Sequence, residues 1–389
     1  NLRATMMWLG VVLHVAIVHR VLDSASFWRD PQTSPTADVV VMLIHVFRMP
    51  VFFIVSGFFA ALLVERRRPG GMLANRVWRV GVPFVVFLPI LFAATVVLTT
   101  TYARPVGSPP SVGFDLNVMP VKSGGVRFQT LHLWFLELLM GFALVTAILC
   151  WLTSSLPNVL RERTKQVFCR LGVSNMAFLT LALPLAVVGR NSPQGVLVTS
   201  GDLLPPAAEW LHYGLYYAFG FALYHCRHHV LPLYAQRAWR NALAGVIGIG
   251  ITVAVTYVAL RAPGRLPHDG FWMSLAYNAC SWLLSLALIG GFVRHLHEQN
   301  QLLKYMAESS YWVYLVHLPL IGVVALALRD WHIVAELKMV LNIGVTTALS
   351  VASYHWLVRH KPIGVFLNGP GKNNESAPAH LAVSPRLDA

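Results

Sequence analysis

Charge is scarce in this 389-residue chain: only 12% of residues are Asp, Glu, Lys or Arg, against 56% apolar. That balance excludes an ordinary soluble domain set and points to a polytopic membrane protein. Acids are scarcer still, 16 against 30 Lys and Arg, which leaves a formal charge of +14. No Lys/Arg stripe interleaved with aromatics accompanies it, so nucleic acid is not an expected partner. Cysteine is rare as well. Cys150, Cys169, Cys226 and Cys280 show no CxxC or zinc-type spacing, and no disulfide and no structural metal are expected. Internal repeats of 20 to 50 residues are missing, and so is an inverted pair of Gly/Pro-broken helices, which speaks against a secondary transporter. The first apolar segment has no small-residue cleavage site followed by a hydrophilic stretch, so it is expected to be a retained helix.

What the chain does have is apolar runs long enough to cross a bilayer. Ten are expected, at 2–22, 39–64, 80–101, 131–152, 173–190, 208–225, 241–260, 270–293, 306–328 and 337–358. Loops on one side carry sixteen basic residues and those on the other nine, which puts both termini in the cytoplasm. The expected fold is an all-α polytopic membrane protein with about ten transmembrane helices around an intramembrane cavity. Residues 1–365 form the transmembrane domain and 366–389, polar and rich in Pro and Gly, a disordered cytoplasmic tail. The outer loop from Tyr102 to Thr130 is irregular in composition and could cover a site from outside.

Ionisable groups inside such runs are costly and mark candidate sites. Arg3 and His14 are eleven residues apart, close to three helical turns, so they share a face roughly 16 Å apart, with His14 in the middle of the first run. A lone imidazole there could simply be an interhelical donor. It has company. In HVFRMPVFFIVSGFF (His45 to Phe59), His45 and Arg48 share a face and Pro50 frees a carbonyl one turn earlier. His132 opens HLWFLELL with Glu137 one to two turns further in, and interfacial anchoring is the plainer reading of His132 and Trp134. Ser310, Tyr314 and His317 form a polar stripe ahead of Pro319. Arg76 and Arg79 lie beside the Arg66 to Arg68 run, either as a topology signal or as a guanidinium clamp for phosphates. His225 to His229 (HCRHH) sits at a helix end in basic surroundings and is not read as a metal site.

Five of these stretches occur in one order: Arg3-x10-His14, HVFRMPVFFIVSGFF, RVWRVGVP (Arg76 to Pro83), HLWFL (His132 to Leu136) and SSYWVYLVHLP (Ser309 to Pro319). In that order the chain resembles the membrane acyltransferase-3 superfamily and, within it, the branch of glucans biosynthesis protein C. One departure is that the family carries a Leu-Asp pair before the Arg, where Asn1 and Leu2 stand here. The resemblance implies a multi-pass enzyme of the bacterial inner membrane that transfers an acyl group from cytoplasmic acyl-CoA to a hydroxyl of a periplasmic glycan. In this branch succinyl-CoA and a glucan are the expected pair. Acyl-CoA is then a co-substrate, and no permanently bound cofactor is expected. His14 is the expected general base or acyl carrier, with Arg48, His45 and His317 around it to orient the acyl group or hold the oxyanion, and Arg3, on the same face, lining the route from the donor. A succinyl carboxylate would want a cation such as Arg48. Arg76 and Arg79 are expected at the CoA phosphates, and His132 and Glu137, on chemistry alone, at the acceptor. The alternatives are an O-acetyltransferase acting on another envelope saccharide and a proton-coupled exporter. Membrane lipid is the surrounding partner, and oligomeric state is not legible.

Overall fold

A chain this apolar must satisfy its backbone groups within each segment, and helices do so. The computed structural model describes residues 2–22, 27–104, 113–119, 128–155, 157–262, 267–295, 301–359 and 361–368. Among them there are helices and turns and no strand. α1 spans Leu2–Val18. α2, Pro35–Arg76, starts on Pro35 with Ser34 Oγ accepting the Thr36 N–H at 3.1 Å, an N-cap that fixes where the helix begins. A π-helical turn, Val77–Gly81, passes it into α3, Val82–Tyr102. A 3-10 turn at Leu131–Leu133 leads into α4, Trp134–Thr153. α5, Asn158–Val173, and α6, Ala177–Gly189, are bent by 106° to one another. α7 (Ala207–Arg261), α8 (Asp269–His295), α9 (Gln301–Leu328), α10 (Ala335–Ser353) and a short α11 (Pro362–Asn368) complete the chain.

Six helical runs among the described residues are long and apolar enough to cross a membrane, or seven if the bent pair counts as one span, and α1 is a shorter apolar helix. The expected figure was ten. Two of the six exceed one bilayer's length. The run Pro35–Tyr102 is broken at Arg68, whose φ of 59° and ψ of 167° leave the helical region just before Pro69. α7 has 55 residues. On a straight helix Tyr216 and Gly245 would stand about 43 Å apart. Yet Tyr216 Oη lies 3.0 Å from Ser281 Oγ, and the adjacent Cys280 Sγ donates to the Gly245 carbonyl at 3.3 Å. α7 therefore doubles back around α8.

Where α2 crosses α7 the backbones touch. A Cβ on Gly57 would overlap the Tyr217 carbonyl, and one on Gly220 would overlap that of Ile54, so both positions need to be bare. Aromatic rings fill the layer beside this crossing, with Phe53 stacked on Tyr213 at 4.7 Å and Phe52 against Phe135 at 4.9 Å.

Three expectations change. α1 ends at Val18, not at residue 22, because the loop folds across its end: the Asp30 N–H bonds to the Val18 carbonyl at 3.0 Å and the Ser34 N–H to that of His19 at 2.9 Å. His14 is consequently one turn from the end of its helix. Cys169 of α5 and Cys226 of α7 form a disulfide with Cα atoms 5.6 Å apart, against the expectation of none. The two helices are held together there by Tyr234 Oη on the Gly172 carbonyl and Arg237 Nη1 on that of Val173, and a pairing across 57 residues leaves no trace in spacing. The tail boundary at 366 falls inside α11, and residues from 369 on lie outside the described residues. Much of the Tyr102 to Thr130 loop lies outside them too.

Candidate functional site

The site is strung along one face of α1, where Arg3, Gly10 and His14 fall at i, i+7 and i+11. Arg48 of α2 reaches this face. Its Nε donates to the Met6 carbonyl at 2.9 Å, and its Nη2 occupies the space where Gly10 has no side chain. Arg48 is 5% exposed, and its Cζ lies 6.0 Å from the centre of the Phe52 ring. A cation at such depth costs about 2.5–3.5 kcal/mol on insertion scales unless something compensates it. His14 and the Tyr314 phenol lie within its electrostatic range.

Three imidazoles meet above Arg48. His14 lies 5.2 Å from His317 and 6.5 Å from His132 between ring centres, and His132 lies 4.9 Å from His317. One carbonyl holds two of them. His132 Nε2 is 3.0 Å and His317 Nδ1 2.7 Å from the oxygen of Tyr314, while Tyr314 Oη donates back to the His132 carbonyl at 2.7 Å. A carbonyl can only accept, so each of those ring nitrogens carries its proton. The other nitrogens, His132 Nδ1 and His317 Nε2, are buried without a hydrogen-bond partner. His45 stands within electrostatic range of His14 and shares a hydrogen bond of 3.1 Å with Tyr277 Oη of α8.

At the other end of α1 the arginines gather. Arg3 lies within electrostatic range of Arg79 and Tyr311, and Arg76 within that of Arg3, Arg79 and Tyr217. Tyr311 Oη donates to the Arg79 carbonyl at 3.0 Å, which ties α9 to the π turn carrying that arginine. Three guanidinium groups at one end of α1 are suited to an anionic ligand. Arg3 is enclosed by protein on most sides yet exposed by surface area, and His14 is enclosed yet only half-buried.

The structure thus brings together Arg3, Arg76 and Arg79 in one group and His14, His45, Arg48, His132 and His317 in another. It keeps Glu137 apart. Glu137 lies in α4, five residues beyond His132, and the charges acting on it are those of Glu209 and Asp202. Sequence reasoning passed over Gly10, Tyr277, Tyr311 and the Tyr314 carbonyl. Tyr311 could have been found at i−3 from Tyr314, on the same helix face. Ser310, included in the stripe, bonds back to Ala307 of its own helix at 2.8 Å. A groove of about 640 Å³ between α9 and α10, lined by Gly344, Ala348, Ala352 and Trp356 among others, is separate from these rings. Among the described residues no three His, Cys, Asp or Glu converge as metal ligands.

A family model described as an acyltransferase domain matches residues 1–355. Glucans biosynthesis protein C of Shigella dysenteriae serotype 1 (strain Sd197) is 25% identical over 332 residues, covering 82% of this chain and 80% of that protein. The proteins of the same name from Escherichia coli O81 (strain ED1a) and Escherichia coli O157:H7 are 25% and 24% identical over the same shares of both chains. No solved structure matches.

Proposed function

The chain belongs to the acyltransferase-3 domain family, and from that premise we propose that it transfers an acyl group, succinyl in our reading, from cytoplasmic acyl-CoA to a hydroxyl of a periplasmic glucan. It does so in the bacterial inner membrane, with ten spans and both termini in the cytoplasm. The observation that carries the reading is the succession along α1: an arginine group at one end, a buried arginine next, and then three facing imidazoles. What favours a hollow between them is that Arg3 and His14 are deep by their neighbours yet open by area. The relatives' name favours a glucan as the acceptor.

Each group has a task. Arg3, Arg76 and Arg79 hold the CoA phosphates, for which guanidinium forks are suited. His14 takes the proton of the attacking sugar hydroxyl as the new C–O bond forms at the thioester carbon. Arg48 faces the oxygen that becomes negative. The C–S bond then breaks, the CoA sulfur leaves as thiolate and receives the proton from His14, and ester and free thiol remain. A stepwise route through an acyl-His14 uses the same groups. His132 and His45 border the acyl group, and Glu137 belongs to a separate acidic patch that can meet the glycan only outside the reacting centre.

Labelled succinyl-CoA or acetyl-CoA supplied to inverted vesicles with glucan tests this. The expected product is an alkali-labile ester on the glycan, whose mass increment tells succinyl from acetyl. His14→Ala is expected to insert normally and to lose transfer by about 10²–10⁴-fold, the usual worth of a positioned base. Full turnover in that variant removes the imidazole from the reaction. Uptake or release of a solute without ester formation is the exporter's outcome and replaces the proposal.

A further inference from the structure

The geometry points to His317 as the residue that orients His14 and fixes its tautomer, a positioning role that rests on the transferase reading above. His317 Nδ1 is committed as a donor to the Tyr314 carbonyl at 2.7 Å, with that of Val313 at 3.1 Å. Its Nε2 therefore carries only a lone pair, is buried, and has no partner. A buried acceptor left unmatched is costly and asks for a donor.

The donor is found by elimination among the groups that face it. His132, from the start of α4, is nearest at 4.9 Å, but its one ring proton is already given to Tyr314, so it presents a second bare nitrogen and no N–H. Arg48 of α2 keeps N–H groups beyond the Nε that binds Met6, but its Nη2 is packed where Gly10 has no side chain, about one turn of α1 below His14. His45 of α2 is engaged with Tyr277. Lys338 of α10 is held by Asp30. His14 remains, with its ring 5.2 Å from that of His317 and inclined by 50°. Catalytic hydrogen bonds are often long in resting structures and tighten when substrate binds. A His14 N–H given to His317 Nε2 leaves the other His14 nitrogen bare, and that nitrogen takes the hydroxyl proton. The series Tyr314 carbonyl, His317, His14 then does what a carboxylate does for the histidine of a hydrolase triad: it selects one tautomer and aims the ring. Pro319, two residues further along α9, has no N–H to offer the Leu315 carbonyl, next to the one that holds His317.

Two substitutions separate positioning from mere packing. His317→Asn keeps a donor for Tyr314 and removes the acceptor at Nε2, whereas His317→Gln places an amide oxygen near the Nε2 position. Full-length protein is assayed in vesicles with succinyl-CoA and acetyl-CoA, and in parallel His14 is labelled with diethyl pyrocarbonate across pH and quantified by peptide mass spectrometry. The expected result is that His317→Asn lowers kcat by about 10–100-fold with an unchanged KM for acyl-CoA, within the range of acid–base assistance. The pH midpoint of His14 labelling is displaced from that of the wild type, and His317→Gln recovers most of kcat. A His14 labelling midpoint in His317→Asn identical to wild type overturns the pairing, and so do equal losses in the Asn and Gln variants. If the wild type transfers from neither donor, the transferase reading has failed, and the labelling comparison still decides whether the two rings are paired.

Discussion

The Nε of Arg48 donates to the carbonyl of Met6, 2.9 Å away, and this places the guanidinium between Arg3 and His14 along α1. A thioester that enters phosphate end first, with its phosphates on Arg3, Arg76 and Arg79, presents its sulfur and carbonyl before its acyl tail. A group on the CoA side of His14 therefore meets the carbonyl oxygen, and the distal carboxylate of a succinyl group lies beyond it. The sequence alone suggested Arg48 for that carboxylate; its position favours the oxyanion. Arg48→Gln is expected to lower kcat by about 10²–10³-fold, as loss of an oxyanion donor does, and equally for succinyl-CoA and acetyl-CoA. Steady-state kinetics with both donors check this, and a selective loss with succinyl-CoA restores the carboxylate role.

Gly10 gives that guanidinium its room. A Cβ at this position would meet Arg48 Nη2 and Cζ, the far end of a flexible side chain and not a backbone atom. The substitution is thus absorbed by moving Arg48, and its cost falls on the reaction more than on folding. Gly10→Ala is expected to express and melt like the wild type while kcat falls by about tenfold, roughly the 1.4 kcal/mol expected of one misplaced stabilising contact. Thermal unfolding in detergent beside the vesicle assay separates the two effects. A large loss of stability with unchanged turnover per folded molecule would show that Gly10 serves packing alone.

Legibility in the sequence followed range. Spacing within one helix was readable: Arg3 and His14 do share a face because α1 is continuous over the turns between them, and His45 with Arg48 does the same on α2. Contacts between helices were not. The reversal of α7 was implied by the two spans expected at 208–225 and 241–260, but the basic stretch between them is helix-compatible and the chain there stays helical where a loop was expected. The meeting of His132 with His317 is set by one carbonyl on α9 and was inferable only as a family trait. Glu137 was a missed chance of another kind. His132 sits in the 3-10 turn ahead of α4 and Glu137 within α4, so a shared helix face could not be assumed for the two.

The arginine group makes a prediction about binding. Arg3, Arg76 and Arg79 lie within electrostatic range of one another and suit a polyanion, so their energy goes into holding donor more than into the bond-making step. Arg76→Ala combined with Arg79→Ala is expected to raise the KM for acyl-CoA by about 10–100-fold, at roughly 1.5–3 kcal/mol for charge-assisted hydrogen bonds. The KM for glucan should move little. The comparison is best made at two salt concentrations, because the exposed Arg79 contributes a part that salt screens. Equal changes in both KM values would return these residues to a topological role.

The far end of the bundle is closed by an ion pair whose behaviour can be anticipated from its burial. Lys338 Nζ lies 2.9 and 3.0 Å from the two oxygens of Asp30, 2.7 Å from Gln32 Oε1 and 3.2 Å from the Arg329 carbonyl, and both partners of the pair are 1% exposed or less by side chain. The pair stitches the loop that crosses the end of α1 onto α10, one turn above His14. A buried pair of this kind is weak evidence for stability as a whole, since desolvation offsets most of the attraction. Breaking it from one side is different, because an uncompensated charge stays behind. Asp30→Asn is expected to cost about 3–5 kcal/mol and to lower the thermal midpoint clearly. Replacing both partners, Asp30→Leu with Lys338→Leu, removes the stranded charge and should recover most of that loss. The midpoints of the three proteins in one detergent decide the matter: if Asp30→Asn melts with the wild type, the loop is held by its backbone bonds to Val18 and His19 and the ion pair adds nothing.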